Sequence, residues 1–375
     1  MISSNAPGKL CCGLDGRDPQ HFLAALGLHK IVSAIAENKG NALARTTLSW
    51  KQNGSHWNPE VSNLGSNVSF GEVVEFLHCF SKKEYEALNE AQADSRKLPQ
   101  GVREPEHENK SDQFRFNEKL SDIFRFGDII GVEAEKFREQ LATAQTECFS
   151  ESAFSRISAD ELSGLGTDIV CVKKSVEEDN GGEKKKIEKL FATPTFFSFS
   201  NGNSGKCLLK DARNCMAWVN SENLRATLEE GDSDNACIKK DFAKTSFPTP
   251  LNWSPESLAN HALSRIDPAK AKQISFPARE ALAFWGLSQF VCFPTSGGLN
   301  IPCIKKIKSV NYFCWPIWKS SLSVLEVFWL LSQFDPYSSR GMKLKGIDAE
   351  FQVMALNPNG KRYYFSASSL PAITD

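Results

Sequence analysis

PAREALAFWGLSQFVCFPTSGGLNIPCIKKIKSVNYFCWPIWKSSLSVLEVFWLL, residues 277–331, decides the reading of the fold. Two apolar segments of helical character stand at its ends. Between them a loop carrying Lys305, Lys306 and Lys308 leads into Phe313-Cys314-Trp315-Pro316-Ile317-Trp318. The second apolar segment has a start signal of its own. Ser323 with Glu326 three positions on is a capping box, ahead of Val324, Leu325, Val327, Phe328, Leu330 and Leu331. A basic loop against an aromatic block is a surface suited to holding a partner.

Working outward, Phe351 to Ala355 and Tyr363-Tyr364-Phe365 flank Asn357-Pro358-Asn359-Gly360, which predicts a terminal β-hairpin. Ser254-Pro255 predicts a cap and first turn for a helix over 256–263. At the other end, Gly13-Leu14-Asp15-Gly16-Arg17-Asp18-Pro19 opens a helix, with Asp18 as cap and Pro19 at its first position. Ala24, Leu28, Ile31, Val32 and Ile35 recur at helical spacing, and Phe22, Leu23 and Leu26 widen the apolar face, so this helix is expected to be buried on most sides. Leu48-Ser49-Trp50 and Trp57 bracket a polar turn, Lys51 to His56, and predict a strand pair. The fold class is therefore α+β, with mixed helices, antiparallel strand pairs and a C-terminal hairpin.

Hydrophobic residues make up 41% of the 375, enough for a large core and for two lobes. The stretch Glu177 to Lys186 joins an acidic run, a Gly pair and a basic run, as a solvated insertion does. It divides an N-terminal α+β lobe, 1–172, from a C-terminal α+β lobe, 190–375, across a charged linker at 173–189. Residues from about 91 to 111 lose hydrophobic periodicity and read as a mobile connection. Phe124, Phe126, Ile129, Ile130 and Phe137 suggest a passage from strand to helix, and Ile169 to Val172 a strand. Thr195 to Phe199 alternates as a strand and runs into the Gly-rich loop Asn201 to Lys206, with a helix following through Leu208, Leu209, Ala212 and Met216.

Charge limits function. The 44 Lys+Arg against 45 Asp+Glu leave a net charge of -1, whereas an autonomous nucleic-acid binder carries a basic excess. A nucleic-acid role must then rest on local patches or on a partner. No apolar run is long enough to cross a bilayer and the first ten residues do not form a signal peptide, so a cytoplasmic protein without membrane contact is expected. Eleven Cys in largely apolar contexts, Cys292, Cys303 and Cys314 among them, read as reduced core thiols.

Chemistry is sparse. The Gly-rich loop has the strand-loop-helix setting of a phosphate cradle, or of a plain tight turn; Gly202 and Gly205 are three apart and Cys207 follows Lys206, so it is no Walker motif. The six His form no local His-x-x-x-His or His-Asp pair and no Cys-x-x-Cys occurs, which gives no metal site, no cofactor and no local catalytic set. Tyr312, Phe313 or Trp315 could stack on bases, while Trp315 and Trp318 equally suit packing anchors.

Several of these pieces occur together in a known group. The Gly13 to Pro19 turn with Phe22 to Gly27, Leu48-Ser49-Trp50, Thr193-Pro194-Thr195 and the Gly-rich loop come first. Leu251-Asn252-Trp253-Ser254-Pro255, Ile266-Asp267-Pro268, Glu280 to Leu287 and Trp315 to Trp318 follow. In that order the chain resembles proteins encoded in type I-G (formerly I-U) CRISPR loci, components of the RNA-guided Cascade complex. The resemblance implies a compact large-subunit-like protein, not an enzyme, that helps recognise the protospacer-adjacent motif and hold target DNA. It also implies other Cascade subunits, crRNA, double-stranded target DNA and a separate nuclease-helicase as partners. The charged stretch 173–189 and the acidic run Glu229 to Asp234 depart from the group.

On this reading Lys305, Lys306 and Lys308, with Lys206 and Arg213 beside the Gly-rich loop and with Arg17, contact nucleic-acid phosphates. Two other classes remain open. One is a structural adaptor that makes protein contacts only. The other is a cytoplasmic hydrolase whose nucleophile is assembled from distant parts of the chain.

Overall fold

A computed structural model describes residues 8–39, 45–79, 125–126, 166–180, 183–194, 206–239, 248, 251, 253, 274–290, 293–295, 298–300, 302–308, 310–335, 346–356, 364–365 and 370–371. Within these residues the fold is mixed α+β, and the named strands pair antiparallel throughout.

Strand β1 (Gly8–Leu10) leads through the 13–19 turn into helix α1 (Pro19–Asn38). The Asp18 side chain accepts hydrogen bonds from the Gln20 and His21 amides and Pro19 stands in the first turn, so the helix begins where its capping chemistry places it. Burial reaches almost the whole of α1, from Pro19 to Ala36, as its wide apolar face predicts. The expected strand pair forms as β2 (Thr47–Asn53) and β3 (His56–Ser62). Asn53 faces His56 across a two-residue turn in which Gly54 has φ +59°, a conformation that glycine adopts without strain. Helix α2 (Phe70–Cys79) follows.

Between the ends, β4 (Arg125–Phe126) pairs with β7 (Lys206–Cys207), and β5 (Gly166–Asn180) with β6 (Glu183–Pro194). Residues 173–189, expected as a charged linker, thus lie largely within a two-stranded ribbon. In its register Glu177 stands opposite Lys186 and Glu178 opposite Lys185. Helix α3 (Leu208–Ala217) begins where the sequence predicts a helix after the Gly-rich loop, with Ala212 and Met216 buried. Helix α4 (Ser221–Glu229) opens with a reciprocal cap between Asn220 and Asn223. A short pair, β8 (Ile238–Lys239) with β9 (Ile274–Ser275), precedes α5 (Pro277–Gly286) and a 3-10 turn over Leu287–Gln289.

Beyond α5 the structure corrects the sequence reading. Lys305 and Lys306 are not in a loop between helices. Two hairpins follow α5 instead, β10 (Phe293–Thr295) with β11 (Gly298–Asn300) and β12 (Ile304–Ile307) with β13 (Val310–Ile317). The aromatic block is the strand β13. After β14 (Leu322–Ser323) comes α6 (Val324–Gln333), with the predicted capping box intact. The terminal hairpin is present as β15 (Ala349–Leu356) with β16 (Tyr364–Phe365), and β17 (Leu370–Pro371) also pairs with β15.

One sheet has the order β1-β3-β2-β14 and another β12-β13-β15-β16, with β17 on β15. Phe22 of α1 joins them. Its ring centroid lies 5.7 Å from Trp50 of the first sheet and 5.9 Å from Trp315 of the second. The main core cluster runs from Cys11 to Ala355 in sequence, so residues from both ends of the chain bury one another. Helices α1 and α5 cross with almost no gap. A methyl group on Gly27 would collide with the Leu282 carbonyl oxygen, and one on Gly286 with that of Leu23.

The expected helix over 256–263, the strand at Thr195 to Phe199, the connection at 91–111, and the segments at Phe124, Ile129, Ile130 and Phe137 lie outside the described residues. No helix among the described residues is long and apolar enough to cross a membrane.

Candidate nucleic-acid interface

The β12–β13 hairpin divides its lysines. Ile304 opposes Phe313, Lys305 opposes Tyr312 and Lys306 opposes Asn311. Side chains alternate along a strand, so Lys305 and Lys306 point to opposite faces of the sheet. Ile304 packs on the core and Phe313 is fully buried, which fixes that alternation. Lys306 is exposed beyond the core edge, and Lys308, also exposed, occupies the turn at φ +54°. Lys305 is partly buried on the other face, near Glu350 of β15. Burial raises the Glu350 carboxyl to about 7; Lys305 opposes that shift and Asp335 adds to it. The three lysines therefore form no single patch. Lys306 and Lys308 share the tip of the hairpin, while Lys305 balances a half-buried carboxyl.

The aromatic block is a packing element. Trp315 Nε1 donates to the Gly16 carbonyl oxygen at 2.6 Å and Trp318 Nε1 to that of Leu48 at 3.1 Å, which satisfies both indoles inside the core. Phe313 stacks on Trp315 at 4.9 Å. Of the three rings considered for base stacking, Phe313 and Trp315 are thus sealed from any ligand and only Tyr312 is partly exposed. Cys303 and Cys314 are buried where the hairpin opens, and burial pushes the Cys314 thiol up to about 12, which keeps it protonated. Cys292 lies outside the described residues.

Arg17 lies in the turn that opens α1. Its Nε donates to Asp15 Oδ2 at 2.7 Å, Nη2 lies 2.7 Å from the same oxygen as an ion pair, and Nη2 lies 2.9 Å from His56 Nδ1. His56 Nδ1 is also 2.9 Å from Asp15 Oδ2, and the Trp57 amide donates to Asp15 Oδ1 at 3.2 Å. Desolvation works to raise the Asp15 carboxyl, but hydrogen bonds from Arg17 and the Trp57 amide outweigh it and hold the group below its usual range. A His-Asp contact thus exists in space although no such pair exists in the local sequence. The polar turn of the hairpin could have drawn attention to His56, but only the packing of the N-terminal turn on β3 brings Asp15 to it.

A second polar group lies deeper. Arg279, almost fully buried on α5, contacts His21 Nε2 and Asp232, and its guanidinium carbon stands 3.8 Å from the centre of the Phe276 ring. The Asp15 amide donates to His21 Nδ1 at 3.1 Å. Burial lowers the His21 pKa and the Arg279 charge lowers it further, so the ring is neutral. One residue on, burial raises Glu280 to about 7 against Gln20, Arg279 and the Leu251 amide, which donates to its Oε2 at 3.1 Å. These groups tie the N-terminus of α1 to α5 and have the marks of an internal clasp.

Lys206 lies in β7 and Arg213 in α3; the loop residues 201–205 lie outside the described residues. The feature that the sequence reading missed altogether is on α6, where Leu325 is 61% and Trp329 54% exposed. Spaced four apart, they share one face of the helix. Val327 and Leu331 supply its buried side. Among the described residues no group of three or more His, Cys, Asp or Glu is placed to hold a metal ion. No family model matches the chain, and no curated protein matches it.

Proposed function

We propose that the chain is a non-catalytic subunit of an RNA-guided type I CRISPR effector complex in the cytoplasm. Lys306 and Lys308 touch phosphates of target DNA or crRNA there, and the subunit helps recognise the protospacer-adjacent motif. The observation that carries the reading is the hairpin tip. Two exposed lysines stand at the tip of a strand pair in which Phe313 and Trp315 are buried. That arrangement suits contact with a nucleic-acid backbone, because phosphates need accessible cations and no base edge. The near-zero net charge suits a subunit whose partners bring most of the basic surface. Cleavage then belongs to a separate nuclease-helicase, and sequence specificity to guide pairing.

Lys306→Ala is expected to weaken nucleic-acid binding equally across sequences and to flatten its salt dependence by about one unit of slope, read by fluorescence anisotropy over a salt series. An unchanged slope in a folded variant removes Lys306 from the interface.

A structural adaptor is the second reading, favoured by α6. An exposed Trp and Leu on one helix face suit a neighbouring protein subunit better than a nucleic acid.

A further inference from the structure

The β2–β3 hairpin and the turn before α1 together present a group of outward nitrogen donors that the β12–β13 tip does not include. Side-chain exposure rises from Asp15, at 19%, through Arg17, at 35%, to His56, at 57%. The carboxylate is the most sheltered member and the two nitrogen bases extend past it. Lys51 repeats the arrangement: its ammonium, 56% exposed, lies 2.6 Å from Glu60, which is 23% exposed. The strand register puts these groups together. Asn53 faces His56, Lys51 faces Asn58 and Ser49 faces Glu60, so Lys51, His56 and Glu60 project from one face, with Lys51 diagonally across from His56.

Unspent hydrogen-bonding capacity remains on this face. Arg17 uses Nε and Nη2 on Asp15 and His56, which leaves Nη1 with no partner among the described residues. His56 engages its neighbours through Nδ1 alone; with Nδ1 accepting from Arg17 Nη2, the ring proton sits on Nε2, which is open to a ligand. The Asp15 carboxylate fixes the guanidinium, and the guanidinium in turn holds the imidazole, before a ligand arrives, so less side-chain entropy is lost when an anion binds.

We propose that Arg17, His56 and Lys51 form a phosphate-binding face for a nucleic-acid backbone, with Asp15 and Glu60 as the carboxylates that hold the donors in place. The inference rests on the nucleic-acid reading above and adds a second contact surface to it. Arg17 Nη1 and His56 Nε2 converge on one phosphate, and Lys51 meets a neighbouring one along the strand.

The test is titration of the full chain with an oligothymidylate of about 16 nucleotides, the upper end of a single-strand footprint. The His56 ring signal is followed by NMR, for the wild type, Lys51→Ala and His56→Gln. The expected result is a saturable shift of the His56 signal. Lys51→Ala should weaken binding about three- to tenfold and reduce the salt slope by about 0.7. His56→Gln should weaken binding with its melting temperature retained. A His56 signal that stays unmoved by the oligonucleotide overturns the proposal. So does inorganic phosphate binding as tightly as the oligonucleotide, which would mark a site for free anions. Binding that depends on Lys306 and leaves His56 silent removes this face while the subunit reading stands. A His56 response in a chain that never carries guide RNA supports the face and removes the subunit reading.

Discussion

His29 lies on the buried side of α1, where its Nε2 meets the Thr46 carbonyl oxygen at 3.2 Å. Burial lowers its pKa from 6.5 to about 4, against the small opposing effect of that hydrogen bond. Between those values the unfolded chain takes up a proton that the folded chain refuses. The contribution of His29 to stability is therefore complete above pH 6.5 and is lost as pH falls through about 4. At 1.36 kcal/mol per unit the swing is roughly 3 kcal/mol. In urea melts of wild type and His29→Gln, the stability difference should shrink by roughly that amount between those two pH values. A constant difference would mean that the ring is not held neutral. Glu280, raised by burial to about 7, has the opposite sign: its contribution is present below pH 4.5 and lost as pH rises through 7. The variant-to-wild-type difference isolates His29 from that opposing trend. At this scale the sequence was legible where the physics is local. Asp18 caps α1 and Ser323 caps α6 because the donors they serve lie within three residues. Asp15 with His56, forty-one positions apart, needs the folded chain to meet.

Among elements, α1 was legible as a buried helix and α5 as an apolar helical segment, but their closeness was not. It depends on Gly27 and Gly286 facing each other's backbone, and neither glycine breaks the apolar pattern enough to announce the contact. Gly27→Ala must push the helices apart, and a loss of about 3 kcal/mol is expected, seen as a lower urea midpoint with an unchanged slope. Wild-type stability in that variant would refute the tight crossing. The β12–β13 hairpin was misread because β13 is buried on both faces. Such a near-continuous apolar run does not betray its period, and β12, an edge strand guarded by Lys305 and Lys306, is short and polar. Helix α6 (Val324–Gln333) shows the opposite behaviour. Apolar residues around most of its circumference suggest burial, yet Leu325 and Trp329 face out. On the proposed adaptor reading, Trp329→Ser should leave the melting temperature within a few degrees of wild type and abolish co-purification with neighbouring subunits, as judged by pull-down. A destabilised variant would instead make Trp329 part of the fold.

For the molecule as a whole, the α+β class was legible, because antiparallel hairpins and capped helices are encoded over short distances. The way the two ends of the chain share one core was not. Phe22 reaches rings of both sheets, and β14 completes the first sheet from the far end of the sequence, contacts with no local signature. The placement of the candidate residues was not legible: Lys306 and Lys308 are exposed, Lys305 turns to the opposite face, and of the three rings Phe313 and Trp315 are buried while Tyr312 is partly exposed. A near-neutral chain whose described residues include an exposed apolar helix face is in keeping with the proposed role beside other chains. The direct test is to purify it, tagged, with the products of its neighbouring genes, and to size the extracted nucleic acid on a denaturing gel. The account predicts several co-purifying proteins and an RNA of one discrete guide length. A single protein free of RNA would contradict it.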